Sequence, residues 1–282
     1  MSDMMLRYLT IFMFVVALHA AANSSAPAFS MMVDGQSVAY LDSGGNGEPI
    51  LFLHAGSGNM SLWDQQVGFF ISHGYRFIAI NYKPIENAQR HAVMHEFMAK
   101  LGIHQFHLVG TAAGGGISLG YVLKYPESVK SIVIANSTGN IDDDDYRKMS
   151  NRFRPSDIFT QLPTDFLELG PSYRAINPDG VELWKTLSES HKRMPPPPKT
   201  PVNVDPEYAI TWENLAKLTM PILFLTGDAD LYTPPAVVRL FHTHVPQSET
   251  YIVSDSGHSA YWESPKEFNH VVLTFLSHGK LN

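Results

Sequence analysis

The 282-residue sequence predicts an α/β fold, in which a mostly parallel sheet is flanked by helices. Short apolar runs that are bounded by glycine and proline alternate with segments whose apolar residues recur at helical spacing, as βαβ units require. This alternation stops over residues 137–220 and then resumes. The interruption predicts a helical insertion between two strands of the sheet.

The predicted elements follow in chain order. Compact apolar runs predict strands at residues 37–43, 49–53, 76–81, 106–110, 131–135, 222–226 and 250–253. Apolar residues at helical spacing predict core helices over residues 63–71, 86–101, from 113 onward, 234–241 and 265–276. In the insertion, helices are predicted at 143–153, 179–193 and 207–218, and the prolines at 195–198 predict a stiff spacer.

Composition limits the function classes. The net charge of −7 provides no basic surface for nucleic acid, and the lack of cysteine excludes disulfides, thiolate zinc sites and a cysteine nucleophile. The glycines after Gly110 lack the G-x-G-x-x-G spacing of a dinucleotide site. We therefore expect a small-molecule substrate, no cofactor and no metal, while the sequence leaves the oligomeric state open.

The N-terminal segment resembles a targeting sequence. Arg7 precedes an apolar run over residues 8–18, and three alanines at 20–22 provide a small-residue cleavage pattern. We interpret residues 1–22 as a secretory signal peptide, since the run is too short for a membrane span. Its removal predicts a secreted or periplasmic protein without a stable membrane span; an uncleaved anchor is the alternative.

Residues 105–120 carry the most informative motif. An apolar run ends at Gly110, and a helical pattern starts at Ala113. A strand, a turn flanked by glycines and a helix form the layout of a nucleophile elbow, G-x-S-x-G. Gly110 and Gly114 occupy the two glycine positions, but the central residue is Ala112, which has a methyl group and no hydroxyl.

Together with three further motifs, this stretch resembles the α/β-hydrolase superfamily from about residue 38 to the C-terminus. The motifs are H-A-G at 54–56, G-D-A-D at 227–230 and G-H-S at 257–259, each in the order that the family uses. The resemblance implies an α/β-hydrolase fold with a core at 23–136 and 221–282. It also implies that the insertion, residues 137–220, is a helical lid.

The resemblance implies a role for several residues. His258 would be the base and Asp230 the acid that orients it, since the family acid lies three residues after the glycine; Asp228 is the competitor. The oxyanion would be bound by backbone N–H groups of Ala113 and of Gly56 or Ala55. The alternative is a hydrogen-bonded His–Asp pair that only holds loops together.

The substrate is predicted less directly. Candidate contacts are Trp63, Thr111 and Tyr261. The aromatic residues of the insertion indicate that the substrate is an apolar or aromatic small molecule, and the alternative is that they only pack within the lid. These residues are Phe153, Phe159, Phe166, Tyr173 and Trp184. The loop after the strand at 76–81 is shorter than the D-x-R-G-x-G loop of the family, which predicts greater solvent access to His258.

Three functional hypotheses follow from Ala112. The first is a cofactor-free hydrolase, lyase or isomerase in which the His–Asp pair acts as general base on water or on a substrate proton. The second is a serine hydrolase inactivated by replacement of serine with alanine. The third is a binding protein that retains the pocket without catalysis. Thr111 is not expected to serve as nucleophile, because its elbow position directs the hydroxyl away from His258.

Overall fold

The computed structural model describes residues 26–154, 156–159, 161–192 and 205–281. The predicted signal peptide and the proline spacer at 195–198 lie outside the described residues. Among the helices that are described, none combines the length and the apolar character needed to cross a membrane.

The described residues form one sheet of eight strands. These are β1 (Ala28–Val33), β2 (Gln36–Asp42), β3 (Glu48–Leu53), β4 (Tyr75–Ile80), β5 (Phe106–Thr111), β6 (Val129–Ala135), β7 (Ile222–Gly227) and β8 (Glu249–Val253). Their order is β1-β2-β4-β3-β5-β6-β7-β8. β2 runs antiparallel to β1 and β4, and all other neighbours are parallel. The carboxyl ends of β3, β5, β6 and β7 therefore meet at one edge, where α/β sheets bind ligands.

Helices cover both faces of this sheet. They are α1 (Asp64–Ser72), α2 (Arg90–Lys100), α3 (Ala113–Lys124), α4 (Asp144–Phe153), α5 (Ser156–Phe159), α6 (Thr164–Glu168), α7 (Pro171–Ile176), α8 (Pro178–Lys192), α9 (Trp212–Ala216), α10 (Pro235–His244), α11 (Ala260–Glu263) and α12 (Pro265–His278). Side chains along β3 alternate between two apolar clusters: Leu51 and Leu53 join the one with α2, α3 and α10, whereas Ile50 and Phe52 join the one with α1 and α12. Burial on both faces explains why these strands have continuous apolar sequences.

The predicted α/β architecture is confirmed, with some differences in the elements. β1 was not predicted, because exposed residues such as Phe29 and Met32 (46% and 63% exposed) hide its alternation. The helix predicted at 207–218 is instead a 3₁₀ turn, Pro206–Tyr208, followed by α9. The short helices α5, α6 and α7 were also not predicted, since each is too short to show helical periodicity.

Candidate active site

The turn between β5 and α3 has a strained backbone. Ala112 adopts φ 50° and ψ −116°, in a region that residues with a Cβ rarely occupy. Its N–H donates to the carbonyl of Ala135 at 2.9 Å. Its own carbonyl accepts from the hydroxyl of Ser137 at 2.6 Å and from the N–H of Gly115 at 3.0 Å. The surrounding structure therefore fixes this turn.

Two glycines allow the turn to sit against the sheet. A Cβ on Gly114 would overlap the backbone carbonyl oxygens of Leu53 and His54, and a Cβ on Gly110 would overlap the backbone of Gly114. Because neither has a side chain, the N-terminus of α3 lies directly on the end of β3. This contact brings Ala113 next to the loop that follows β3.

His258 and Asp230 form a buried pair at the same edge. Asp230 lies in the turn after β7, and His258 lies in the loop between β8 and α11. The Nδ1 atom of His258 is 2.9 Å from both carboxylate oxygens of Asp230. Since Nδ1–H donates to the carboxylate, Nε2 carries the lone pair of the neutral ring.

Several further donors surround the Asp230 carboxylate. Oδ2 accepts from the side-chain amide of Asn136 at 3.0 Å, and Oδ1 accepts from the N–H groups of Tyr232 at 2.7 Å and Thr233 at 2.8 Å. Burial acts to raise the pKa of Asp230, but His258 and these hydrogen bonds outweigh it, so the pKa lies below the usual value. Asp230 is therefore ionised and held in one orientation.

The imidazole of His258 is strengthened as a base. Burial acts to lower its pKa, but the acidic groups around the ring, Asp230 first, outweigh burial, so that the pKa of His258 lies above the usual value. The ring of Tyr232 packs on the imidazole with a centroid distance of 4.4 Å. His258 is thus oriented on one side by a carboxylate and on another by an aromatic ring.

The predicted oxyanion donors lie close together. A Cβ on Gly56 would lie 3.2 Å from the Cβ of Ala113, so the two residues are neighbours. Ala113 is the first residue of α3, and its N–H therefore has no acceptor within the helix. Ala55 is buried, and its carbonyl accepts from the N–H of Gly58. Of the two alternatives for the second donor, Gly56 is the one that borders the cavity described next.

A cavity of about 350 Å³ joins these groups. Ala112, Ala113, Gly56 and His258 all border it. The rest of its lining is largely polar: Ser57, Asn136, Thr138, Asn140, Arg154, Glu168 and Tyr232. Sequence reasoning missed this polar set. Only Asn136 carried a signal, because it directly follows a strand of the parallel sheet.

The predicted substrate contacts Trp63, Thr111 and Tyr261 require correction. All three side chains are fully buried, and none borders the cavity. Trp63 packs between Phe52 and Tyr261, with ring centroids 5.0 and 4.8 Å away. These aromatic residues stabilise the layer between the sheet and α1, α11 and α12 rather than facing a ligand.

The five aromatic residues of the insertion do not border the cavity either. Phe153 and Phe166 are exposed on the outside, whereas Tyr173 and Trp184 are buried in the core. Phe159 contacts Tyr232, with ring centroids 5.0 Å apart. The aromatic side chain that contacts the cavity itself is thus Tyr232, from the turn after β7.

The short loop after β4 does not leave the site open. The ring of Tyr82 stacks on His54 at 4.3 Å, and its hydroxyl donates to the carbonyl of His54 at 3.0 Å. His258 is 6% exposed. The open approach of solvent to His258 that was expected is therefore not observed, and the short loop itself is packed, through Tyr82, against the loop that carries Gly56.

Two more carboxyl groups lie beside the pair, Glu168, which is buried, and Glu263, which is partly buried. Glu168, at the end of α6, is 7% exposed; burial raises its pKa, and the charge of His258 opposes part of that rise. Glu263 accepts from the N–H groups of Gly257, Ser259 and Gly170 at 2.6–3.1 Å, and burial raises its pKa to about 7. Glu263 thereby ties the helical insertion to the loop of His258. No group of three or more potential metal ligands occurs within the described ranges.

Comparison with known proteins identifies the family. Residues 86–265 match the alpha/beta hydrolase fold family, which is more than half of the chain. The protein therefore belongs to the α/β hydrolases, and the predicted α/β-hydrolase fold is confirmed.

Relatives of known activity are hydrolases. The chain is 25% identical over 273 residues to a 2-hydroxy-6-oxononadienedioate/2-hydroxy-6-oxononatrienedioate hydrolase of Pseudomonas sp, covering 84% of this chain and 91% of that protein. It is 23% identical over 276 residues to a 2-hydroxy-6-oxo-6-phenylhexa-2,4-dienoate hydrolase of Burkholderia cepacia, covering 85% and 91%. Its fold is similar to that of an esterase from Thermogutta terrifontis, with a TM-score of 0.70, 16% identity, and 90% and 99% of the two chains covered.

Proposed function

We propose that the protein is a cofactor-free hydrolase of a small carbonyl or ester compound that uses water in place of a serine nucleophile. The observation that carries this proposal is that His258, which is paired with Asp230, borders the same cavity as Ala112, Ala113 and Gly56. The similarity to hydrolases of known activity supports the reaction class. Residues 137–220 would form the lid, and export by the N-terminal segment is part of the proposal.

The reaction begins with a water molecule in the space beside the methyl group of Ala112. Nε2 of His258 takes one proton from this water while its oxygen attacks the substrate carbonyl carbon. Asp230 stabilises the resulting imidazolium through Nδ1–H. The N–H groups of Ala113 and Gly56 stabilise the negative oxygen of the tetrahedral intermediate. The intermediate then expels the leaving group, which takes up a proton, and the acid product remains.

The strained turn supports this assignment. A residue in a sparsely populated backbone region costs about 1–3 kcal/mol and persists where the surrounding structure enforces it. Ala112 has no hydroxyl for the turn to present, so the geometry cannot serve a serine nucleophile. The first residue of α3 still borders the cavity, and its N–H has no acceptor within the helix, which supports a role in binding the oxyanion.

The lining of the cavity favours a substrate with polar groups near the reacting carbonyl. Arg154 provides a guanidinium group, and Asn140 and Thr138 provide further hydrogen-bonding groups. The relatives named above act on oxo acids, which carry carboxylates. We therefore propose a small oxo acid or an ester with an acidic group. An apolar or aromatic part of it would contact the ring of Tyr232.

The test compares the mature protein with His258→Ala and Ala112→Ser on short acyl esters and on 2-hydroxy-6-oxo-dienoates. The proposal expects turnover by the natural protein and its loss in His258→Ala. Turnover by Ala112→Ser alone would instead identify a serine hydrolase that lost its nucleophile. Because Ala112 has no reactive group, a binding protein is the second candidate, and ligand binding without turnover in any form would favour it.

A further inference from the structure

Glu168 is a carboxyl group that the proposed reaction does not yet use. It ends α6 and is 7% exposed, although glutamate is almost never buried unless it is paired. It forms no salt bridge with any described residue. Arg154 borders the same cavity, but its guanidinium donates to the hydroxyl of Ser150. No ion pair among the described residues therefore accounts for the burial of Glu168.

The carboxyl group of Glu168 faces the reaction site. It borders the cavity together with His258, Ala112 and Ser57. Its Oε2 atom and the hydroxyl of Ser57 are both buried, and neither has a hydrogen-bond partner within the described ranges apart from their contact with each other. A buried acidic group that borders the site with this little hydrogen bonding is available to a bound substrate.

We infer that Glu168 is a second acid–base residue of this site, which in its neutral form donates the proton that the leaving group takes up. This inference rests on the proposed function. It assigns to Glu168 a step that a Ser–His–Asp enzyme gives to its histidine. Two groups are thereby available for two proton transfers: His258 removes a proton from water, and Glu168 supplies one to the departing atom.

The proton balance closes with one water consumed. The water loses a proton to Nε2 of His258, and its oxygen forms the new bond to the carbonyl carbon. The bond from that carbon to the leaving atom then breaks, and its electron pair takes the proton of Glu168. This leaves an imidazolium and a carboxylate on the same cavity, which attract each other strongly in a buried site. Transfer of the proton from His258 to Glu168 through cavity water restores both groups.

The environment of Glu168 fits a proton donor. Burial raises the pKa of its carboxyl group, and Asp230 adds to that rise, whereas His258 and Ser57 act against it. A carboxyl group with a raised pKa is protonated over a wider pH range and can act as a general acid, which is how burial tunes catalytic carboxyl groups in enzymes.

The test uses two butyrate esters that differ only in the leaving group. Ethoxide needs a proton to leave, whereas p-nitrophenolate leaves as an anion. Glu168→Gln keeps the shape of the side chain but cannot release a proton. We expect it to lower kcat/KM for ethyl butyrate by about 10²-fold or more while p-nitrophenyl butyrate changes by less than about threefold. Asp165→Asn, on the same helix but away from the cavity, is the matched control and should change neither rate.

Several outcomes would overturn the inference without touching the proposed function. Equal losses on both esters would show that Glu168 positions the site or stabilises it, and equal retention would show that it has no role. If the natural protein hydrolyses neither ester nor the 2-hydroxy-6-oxo-dienoates, the proposed function fails, and the inference fails with it.

A second measurement does not depend on turnover. The infrared difference spectrum of the natural protein minus Glu168→Gln at neutral pH should show the C=O stretch of a protonated carboxyl group. Carboxylate bands in its place would overturn the assignment of a neutral donor.

Discussion

Replacement of Asp230 by asparagine tests the central pair. The Oδ1 side of the residue can still accept from the N–H groups of Tyr232 and Thr233, because asparagine keeps one carbonyl oxygen. In the natural protein, Oδ2 accepts from the side-chain amide of Asn136 at 3.0 Å and lies 2.9 Å from Nδ1 of His258. In the variant the NH₂ group of asparagine takes the place of Oδ2, so that it faces the amide donor of Asn136 and the Nδ1–H donor of His258.

The expected magnitudes follow from these contacts. One buried amide donor without an acceptor costs about 1–3 kcal/mol of folding stability. The ring of His258 is no longer held with Nδ1–H towards a carboxylate, so the tautomer with its lone pair on Nε2 is no longer favoured. In the serine-protease template this loss lowers turnover by about 10⁴-fold, and we expect a fall of that order here.

The pH dependence that His258 contributes to the free energy of unfolding should change in sign in the variant. In the natural protein the pKa of His258 lies above 6.5, so the pair stabilises the fold below pH 6.5, and this contribution is lost as the pH rises through the folded-state pKa. Without the Asp230 carboxylate, burial dominates and the pKa should fall below 6.5. The variant should therefore lose more stability on the acid side than on the alkaline side.

The measurements are urea unfolding at several pH values and an NMR titration of the histidine side chains, with His258→Gln used to assign the resonance. Turnover of the variant within about tenfold of the natural protein would refute the orienting role of Asp230. A pKa of His258 that stays above 6.5 in the variant would refute the electrostatic argument.

Three further changes test other parts of the site. Ala112→Ser places a hydroxyl on an already strained turn, so a p-nitrophenyl ester should give a burst of about one product per protein and an acylated mass; no acylation would contradict the assigned elbow. Burial raises the pKa of Glu263 to about 7 from 4.5, so folding stability should fall by about 3 kcal/mol as the pH rises through this interval. Glu263→Gln should remove this fall of stability with pH, as measured by urea unfolding, and an unchanged pH dependence would contradict the raised pKa of Glu263. Gly114→Ala forces a Cβ into the backbone of Leu53 and should lower the free energy of unfolding by about 3 kcal/mol. A Cβ on Gly116 would press against the side-chain end of Asn140, so Gly116→Ala should lower it much less. Equal midpoints of unfolding for the two variants would show that the contact at Gly114 is not tight.

The parts of the site that the sequence predicts are those formed by short, local motifs. The glycines around Ala112, the G-D-A-D turn and the G-H-S loop each follow a buried strand, and parallel strands bring their carboxyl ends to one edge. His258 and Asp230 could therefore be paired before their distance was known. The burial of β3 on both faces follows from its continuous apolar sequence.

The parts that the sequence does not predict depend on contacts between distant segments. Glu168 belongs to an insertion that two long-range hydrogen bonds tie to the site: the hydroxyl of Ser188 donates to the carbonyl of Ser57 at 2.7 Å, and the N–H of Gly170 donates to Glu263. No periodicity encodes such contacts. Trp63 and Tyr261 were misassigned for the opposite reason: they flank site motifs in sequence, yet their large apolar rings gain more from burial beneath the site than from facing the cavity.

The strained turn at Ala112 distinguishes this site from that of a serine hydrolase, because its central residue has a Cβ but no hydroxyl. Glycine would relieve the positive φ at no steric cost, yet the chain has a residue with a Cβ there. The methyl group occupies less space than a serine side chain and has no reactive group, while Ala113 still lies next to Gly56 at the border of the cavity. In the proposed reaction the turn separates two roles that a serine elbow combines. The oxyanion donor is retained, attack on the carbonyl passes to a water molecule that His258 activates, and Glu168 takes over from the imidazolium the protonation of the leaving group.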